Sequence, residues 1–164
     1  MKQIILILIY LSAIVMANLA VAKFGTSVVL IVGFVLIGLD LTVRDYLHEI
    51  WEEYLWANMA ALIVCGSIIT FALNRGAGQV ALASVLAFFS AAFIDTIVYH
   101  LLGKRSFLIR VNGSNVFSSF ADSSIFLTVA FGSFMPALIF AQFAVKLWGG
   151  FMWSLLLRKF REKQ

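Results

Sequence analysis

Proline occurs once in these 164 residues, cysteine once, and charged residues make up only 12%. Each scarcity excludes something. A lone cysteine, Cys65, supplies neither a disulfide framework nor a thiolate metal site, and we read it as a small buried apolar residue. His48 and His100 lie far apart, with no HExxH-type spacing around them. The segment NRGAGQ (74–79) follows no strand and leads into no Gly-Lys-Ser/Thr, so it reads as a turn and not as a phosphate loop. A G-x-S-x-G elbow is also missing. No catalytic residue, metal site or cofactor follows from the sequence, and enzymatic activity is not expected.

The shortage of charge decides the solvent. Soluble domains carry roughly a quarter charged residues, whereas this chain is 63% hydrophobic with a mean hydropathy of +1.03. It has too little polar surface to coat itself in water. Lipid is the alternative, and a bilayer core of roughly 30 Å requires about 20 apolar residues of each helix. Six spans are expected, near 4–22, 26–45, 57–73, 79–101, 114–133 and 136–157. The second is the weakest, because its purely apolar part is only Val28 to Leu39. The apolar residues show no period-2 alternation, which argues against a barrel. Lys2, a short apolar region and Ala20-Val21-Ala22-Lys23 also resemble a secretory signal. Five spans would remain after its removal, so we take it as a true first helix. The expectation is an all-α integral membrane protein, one transmembrane domain over 1–164.

Orientation follows from Lys and Arg in the loops. One side collects Lys2, Arg44, Lys104, Arg105, Arg110, Arg158, Lys159, Arg161 and Lys163, and the other only Lys23 and Arg75. Both termini are therefore placed in the cytoplasm. The basic tail RKFREK (158–163) directly follows a span and reads as an anchor, so no nucleic-acid partner is expected. In EIWEEYLW (49–56), Asp45, Glu49, Glu52 and Glu53 share helical spacing among Trp51, Tyr54 and Trp56. That pattern reads as a helical continuation at the membrane interface, with a solvated acidic face and aromatics at headgroup level.

The chemistry then lies in polar residues within the spans. An ionised side chain at the bilayer centre costs at least about 2.5–3.5 kcal/mol, so Asp40, Arg44, Asp95, Asp122 and Lys146 need partners or a wet cavity. Asn115, Ser118, Ser119 and Asp122 fall on one helical face, as do Gln142 and Lys146, and Asp40 and Arg44. Asn18 adds another amide. Lys146 lies about ten residues into the sixth span, too deep to snorkel, which favours a carboxylate partner. Glue between helices competes as a role for Ser118, Asn18 and Gln142. For Asp95 and Asp122 function is favoured, because glue does not require a carboxylate. Both are expected to face one shared hydrated pocket. FIDTIV (93–98) and FADSSI (120–125) echo each other, a match short enough to arise by chance.

GLDLTVRDYLHE (38–49), ASVLAFFSAAFIDTIVYHLL (83–102), RVNGSNVFSSFADSSIFLTVAFG (110–132) and QFAVKLWGGFMWSLLLRKF (142–160) together resemble the queuosine-precursor transporter family, also called the VUT or vitamin uptake family. MANLAVAKFG (16–25) is similar to the family's start. After Arg44 this chain departs from the family, continuing DYLHEIWEE where many members have a glycine-ended turn. The resemblance implies a six-helix inner-membrane carrier that imports 7-deazaguanine bases such as 7-cyano-7-deazaguanine. It carries family positions onto Asp40, Arg44, Asp95, Asn115, Ser119, Asp122 and Lys146.

A guanine-like base offers N–H donors and a carbonyl acceptor, which carboxylates and amides match. Asp95, Asn115, Ser119, Asp122, Asn18 and Gln142 are the candidate substrate contacts. Asp40, Arg44 and Lys146 are the structural or coupling groups, with Lys146 neutralising a carboxylate in the empty state. Phe89, Phe93, Phe117 and Phe120 are candidate stacking surfaces. A substrate-binding subunit of an energy-coupling-factor importer and a membrane scaffold stay open as alternatives, as does a homo-oligomer.

Overall fold

A computed structural model describes residues 2–51, 54–103, 105 and 107–161. Among the described residues there are helices and short turns but no strand. The helices are α1 (Lys2–Phe24), α2 (Val29–Val32), α3 (Gly38–Trp51), α4 (Leu55–Leu73), α5 (Gly78–Leu101), α6 (Phe107–Phe131) and α7 (Pro136–Arg161). Proline-free apolar runs let each helix extend for its full length. The sole proline, Pro136, opens α7, where its missing N–H leaves nothing unpaired. Gly25 and Gly132 follow the last residues of α1 and α6, both at φ 65°. That left-handed conformation ends a helix cheaply only in glycine. Asn74 closes α4 in extended backbone, and its Oδ1 accepts from Gly76 N at 3.0 Å, so NRGAG is a turn.

By length and apolarity, four stretches can cross a membrane: Gln3–Arg44, Trp56–Leu73, Arg75–Val98 and Pro136–Leu156. The first is a hairpin, because the chain reverses at Gly25 and α3 packs back on α1. α6 is 25 residues long but falls outside the four, since its polar stripe dilutes its hydropathy. The acidic face read in 45–53 is not among what the structure describes: Glu52 and Glu53 lie outside the described residues, as do the side chains of Asp45 and Glu49. Tyr54 and Trp56 are exposed.

The second stretch is not the continuous helix the sequence suggests. Gly25–Val28 is 3₁₀, α2 is a single turn, and Gly33–Ile37 is a π-helix leading into α3. The π segment lies against α7 in rising register. A Cβ on Gly33 would stand 3.2 Å from Val145 and 3.6 Å from Gln142. One on Gly38 would come within 2.6 Å of the Gly149 backbone. The two segments therefore run in parallel, backbone to backbone, through small residues of the kind that let membrane helices approach closely. Thr42 Oγ1 donates to Gly150 O at 3.2 Å, and Trp153 Nε1 donates to Val35 O at 2.9 Å within the π segment.

α5 and α6 form an antiparallel hairpin, tied at its far end by Gln79 Nε2 donating to Val129 O at 2.9 Å. Ser67 Oγ links α4 to Ala81 O of α5. The polarity of the bundle is inverted relative to a water-soluble protein. Ile31, Phe93, Phe117, Phe140 and Trp148 face outward, while Asn18, Ser118, Ser123, Gln142 and Lys146 are buried. Cys65 is exposed on α4 among the outward apolar residues, which corrects its expected burial: α4 is apolar all round, so periodicity could not say which face turned inward. Two apolar cores, one around Ala17, Val32 and Leu127, the other around Tyr10, Val43 and Met59, sandwich the polar interior.

Substituting Gly149→Leu forces the π segment away from α7. Overpacking of this kind costs about 1–3 kcal/mol, and the expected outcome is a lower thermal midpoint in detergent, whereas Gly76→Leu in the exposed turn leaves it within experimental error.

Candidate functional site

The polar interior holds a partly open main chamber of about 100 Å³ between the two cores. On this measure a water needs about 10–15 Å³, so the chamber has room for several. Its polar lining comes from α1, α3, α5, α6 and α7, with Val32, Ile37 and Ile63 closing the apolar part of the wall. α1 supplies Tyr10, Ile14, Ala17, Asn18 and Val21, the i, i+4, i+7, i+8, i+11 face of a helix. α5 supplies Ser84, Phe88 and Ala91, and α6 supplies Ser118, Ser119, Asp122 and Phe126. Asp40 and Arg44 enter from α3, and Gln142 and Lys146 from α7.

Lys146 is the most demanding group, because its side chain is 4% exposed. Its Nζ donates to Asp122 Oδ2 and stands 5.9 Å from the centre of the Phe126 ring. A buried charge must be paired or it destabilises the fold by several kcal/mol, and Asp122, 29% exposed, provides the pairing while keeping an open flank toward the chamber. Gly33 leaves the space through which the stems of Gln142 and Lys146 pass.

Two buried amides keep unmatched atoms. Ser84 Oγ donates to Asn18 Oδ1 at 2.6 Å, which orients the amide and leaves Nδ2 without a partner. Gln142 Oε1 is likewise unmatched. Both residues are 3% exposed. A buried polar atom with no partner costs about 1–3 kcal/mol, so one donor and one acceptor stand ready for a ligand or ordered water. Tyr10 is buried in the same wall.

Asp95 and Asn115 are elsewhere. They line a side chamber of about 50 Å³ with Trp56, Met59 and Ala92. The two chambers adjoin, and Arg44, Phe88, Ala91 and Ser118 line both. The expectation of one pocket shared by Asp95 and Asp122 is thus corrected to two connected chambers with Arg44 in the dividing wall. The reason is depth: Asp95 lies six residues before the end of α5 and Asp122 fifteen residues after the start of α6. Antiparallel packing sets them at different levels. Asn115, nearer the start of α6, shares the level of Asp95 and is exposed on that chamber's margin.

The aromatic assignment is also corrected. Phe89, Phe93, Phe117 and Phe120 are exposed on the outside of the bundle and line neither chamber; Phe120 packs on Phe140 and Phe143. Phe88 and Phe126 line the main chamber instead. Register from the carboxylates identifies them, since Phe88 is seven residues before Asp95 and Phe126 four after Asp122. Tyr10 and Ser84 follow by the same rule, eight residues before Asn18 and eleven before Asp95. Among the described residues no group of His, Cys, Asp and Glu is arranged to hold a metal.

A family model described as "Putative vitamin uptake transporter" matches residues 2–157. Comparisons with curated proteins and with solved structures give no match.

The pairing of Lys146 with Asp122 sets a stability test. Lys146→Met and Asp122→Asn each lower the unfolding free energy by about 2–3 kcal/mol, because each leaves a buried partner uncompensated. The double variant loses clearly less than the sum. Denaturant titration in mixed micelles, closed as a double-mutant cycle, measures the coupling.

Proposed function

The chain belongs to this vitamin uptake transporter family, and on that premise we propose that it imports a 7-deazaguanine base, a precursor of queuosine, across the inner membrane. It is a multi-pass membrane protein of a transporter family. In our reading its six long helical stretches all cross the bilayer as one domain, with both termini in the cytoplasm. The bias of nine Lys and Arg against two supports that orientation. The parallel course of α7 and the π segment supports six crossings, since the second and sixth of an alternating set run in the same direction.

The observation that carries the site is the set of groups in the main chamber: the Asp122 carboxylate, the free Nδ2 of Asn18 and the free Oε1 of Gln142. A guanine-type edge presents adjacent N–H donors and a carbonyl. The carboxylate takes two donors side by side, the Asn18 amide donates to the carbonyl, and Gln142 and Ser119 fix the ring's rotation. Phe88 and Phe126 flank the plane. Lys146 holds Asp122 in the empty state and yields part of that contact to the base, so the carboxylate is never left uncompensated. The choice of a deazaguanine over other small heterocycles rests on the resemblance of the motifs 38–49, 83–102, 110–132 and 142–160.

The test is restoration of tRNA queuosine from added 7-cyano-7-deazaguanine in a cell lacking its own synthesis and uptake. The wild-type chain, expressed alone, restores the modification. Asp122→Asn inserts normally and lowers uptake at least about tenfold, as expected for a lost charge-assisted contact. Unmodified tRNA with the wild-type protein present in the membrane overturns the substrate assignment.

A further inference from the structure

The side chamber has no task in that scheme, and the two apolar cores that flank the polar interior are unequal. The first draws on helices all round the bundle: Val21 of α1, Val32 of α2, Val80 of α5, Leu127 of α6 and Ile139 of α7 are buried in it. It seals the end that carries the turns at Gly25, Asn74 and Gly132. The second core lies toward the opposite end. Among the described residues its buried members come from α1, α3 and α4, and α6 and α7 add none. α3 packs on α1, α4 and α7, but among the described residues its backbone stays apart from α5 and α6. One end is thus closed from every side, and the other is left with a gap between α3 and α4 on one flank and α5 and α6 on the other.

The side chamber occupies that gap. Its inner wall, Arg44, Phe88, Ala91 and Ser118, is shared with the main chamber. Its outer margin is Trp56, the second residue of α4, and Asn115, eight residues into α6, both exposed. Polarity favours water there over lipid. Arg44, Asp95, Asn115 and Ser118 line the space, and Arg44 Nε and Asp95 Oδ1 are a donor and an acceptor without hydrogen-bond partners. At about 10–15 Å³ for each water, its roughly 50 Å³ holds a few. We propose that the side chamber is the vestibule through which the main chamber opens to the cytoplasm, so that this fold is the releasing form and the first core is its closed outer gate.

This rests on the reading of the chain as an importer with cytoplasmic termini, which turns the Trp56 and Asn115 end inward; the test keeps vestibule and substrate apart. Ser118→Cys is made in the full chain on a Cys65→Ala background and exposed to a charged, membrane-impermeant methanethiosulfonate in right-side-out and inside-out vesicles. The thiol reacts from the cytoplasmic face and not from the outer one. Adding Ala92→Trp, which fills the side chamber, slows that reaction about tenfold, since thiol exchange tracks access. Should the tryptophan variant fail to fold, Asn115→Trp at the exposed margin decides by the same readout. Reaction from the outer face, reaction from neither face, or a rate indifferent to the added tryptophan overturns the vestibule. Added 7-cyano-7-deazaguanine retards the cytoplasmic reaction when it seats in the main chamber. Access confined to the cytoplasmic face and unaffected by the base supports the vestibule and counts against the substrate reading alone.

Discussion

A lysine side chain held at 4% exposure inside an apolar bundle is the constraint around which this molecule is arranged. Lipid offers it nothing and bulk water scarcely reaches it, so protein groups must compensate its charge. Asp122 does so from the neighbouring helix, which fixes the rotation of α6 against α7. Once α6 is set, Ser118, Ser119 and Phe126 are carried inward with the aspartate, because they share its face. One ion pair thereby orients a stripe on each of two helices. Asn18, Ser84 and Gln142 gather at the same level for the same reason: an interior that already holds polar groups is where another costs least.

Placing the lysine depends in turn on backbone. α7 can present Gln142 and Lys146 at the chamber only if the π segment comes close, and Gly33, Gly38, Gly149 and Gly150 permit this. A π-helix widens the helical turn and leaves its carbonyls imperfectly used, a geometry common at functional sites. Here the Val35 carbonyl is satisfied from across the seam by Trp153. At Gly38 and Gly149 the contact is made backbone to backbone, so the two segments are held by close approach and two hydrogen bonds and not by interlocked leucines.

The sequence displays the stripes more clearly than the levels. Helical spacing put Ser118, Ser119 and Asp122 together, and Gln142 with Lys146, and the depth of Lys146 pointed to a carboxylate. Those are properties of one helix at a time. How far along its neighbour each stripe sits depends on turn lengths and crossing geometry, which is why Asp95 was grouped with Asp122 when it lies one level away. The aromatics failed for a related reason. Sixteen phenylalanines in lipid carry no label for inside or outside, and only their offset from a carboxylate separates Phe88 from Phe89. The break at Gly33–Ile37 was hidden because a π-helix needs no proline, and the exposure of Cys65 because α4 has no polar face to orient it.

The balance of charge bears on how a solute could pass. The main chamber's lining holds two carboxylates and two cations, so a neutral heterocycle entering it exchanges one set of hydrogen bonds for another and meets no net charge. A free cation or anion of the same size would lose its hydration without a matching countercharge, several kcal/mol against it. Arg44 extends this argument to the dividing wall. It lines both chambers, with Asp40 and Asp122 in the lining of one and Asp95 in that of the other. Its Nε is buried without a hydrogen-bond partner, and a donor in that condition is stabilised by any acceptor that a ligand brings to it.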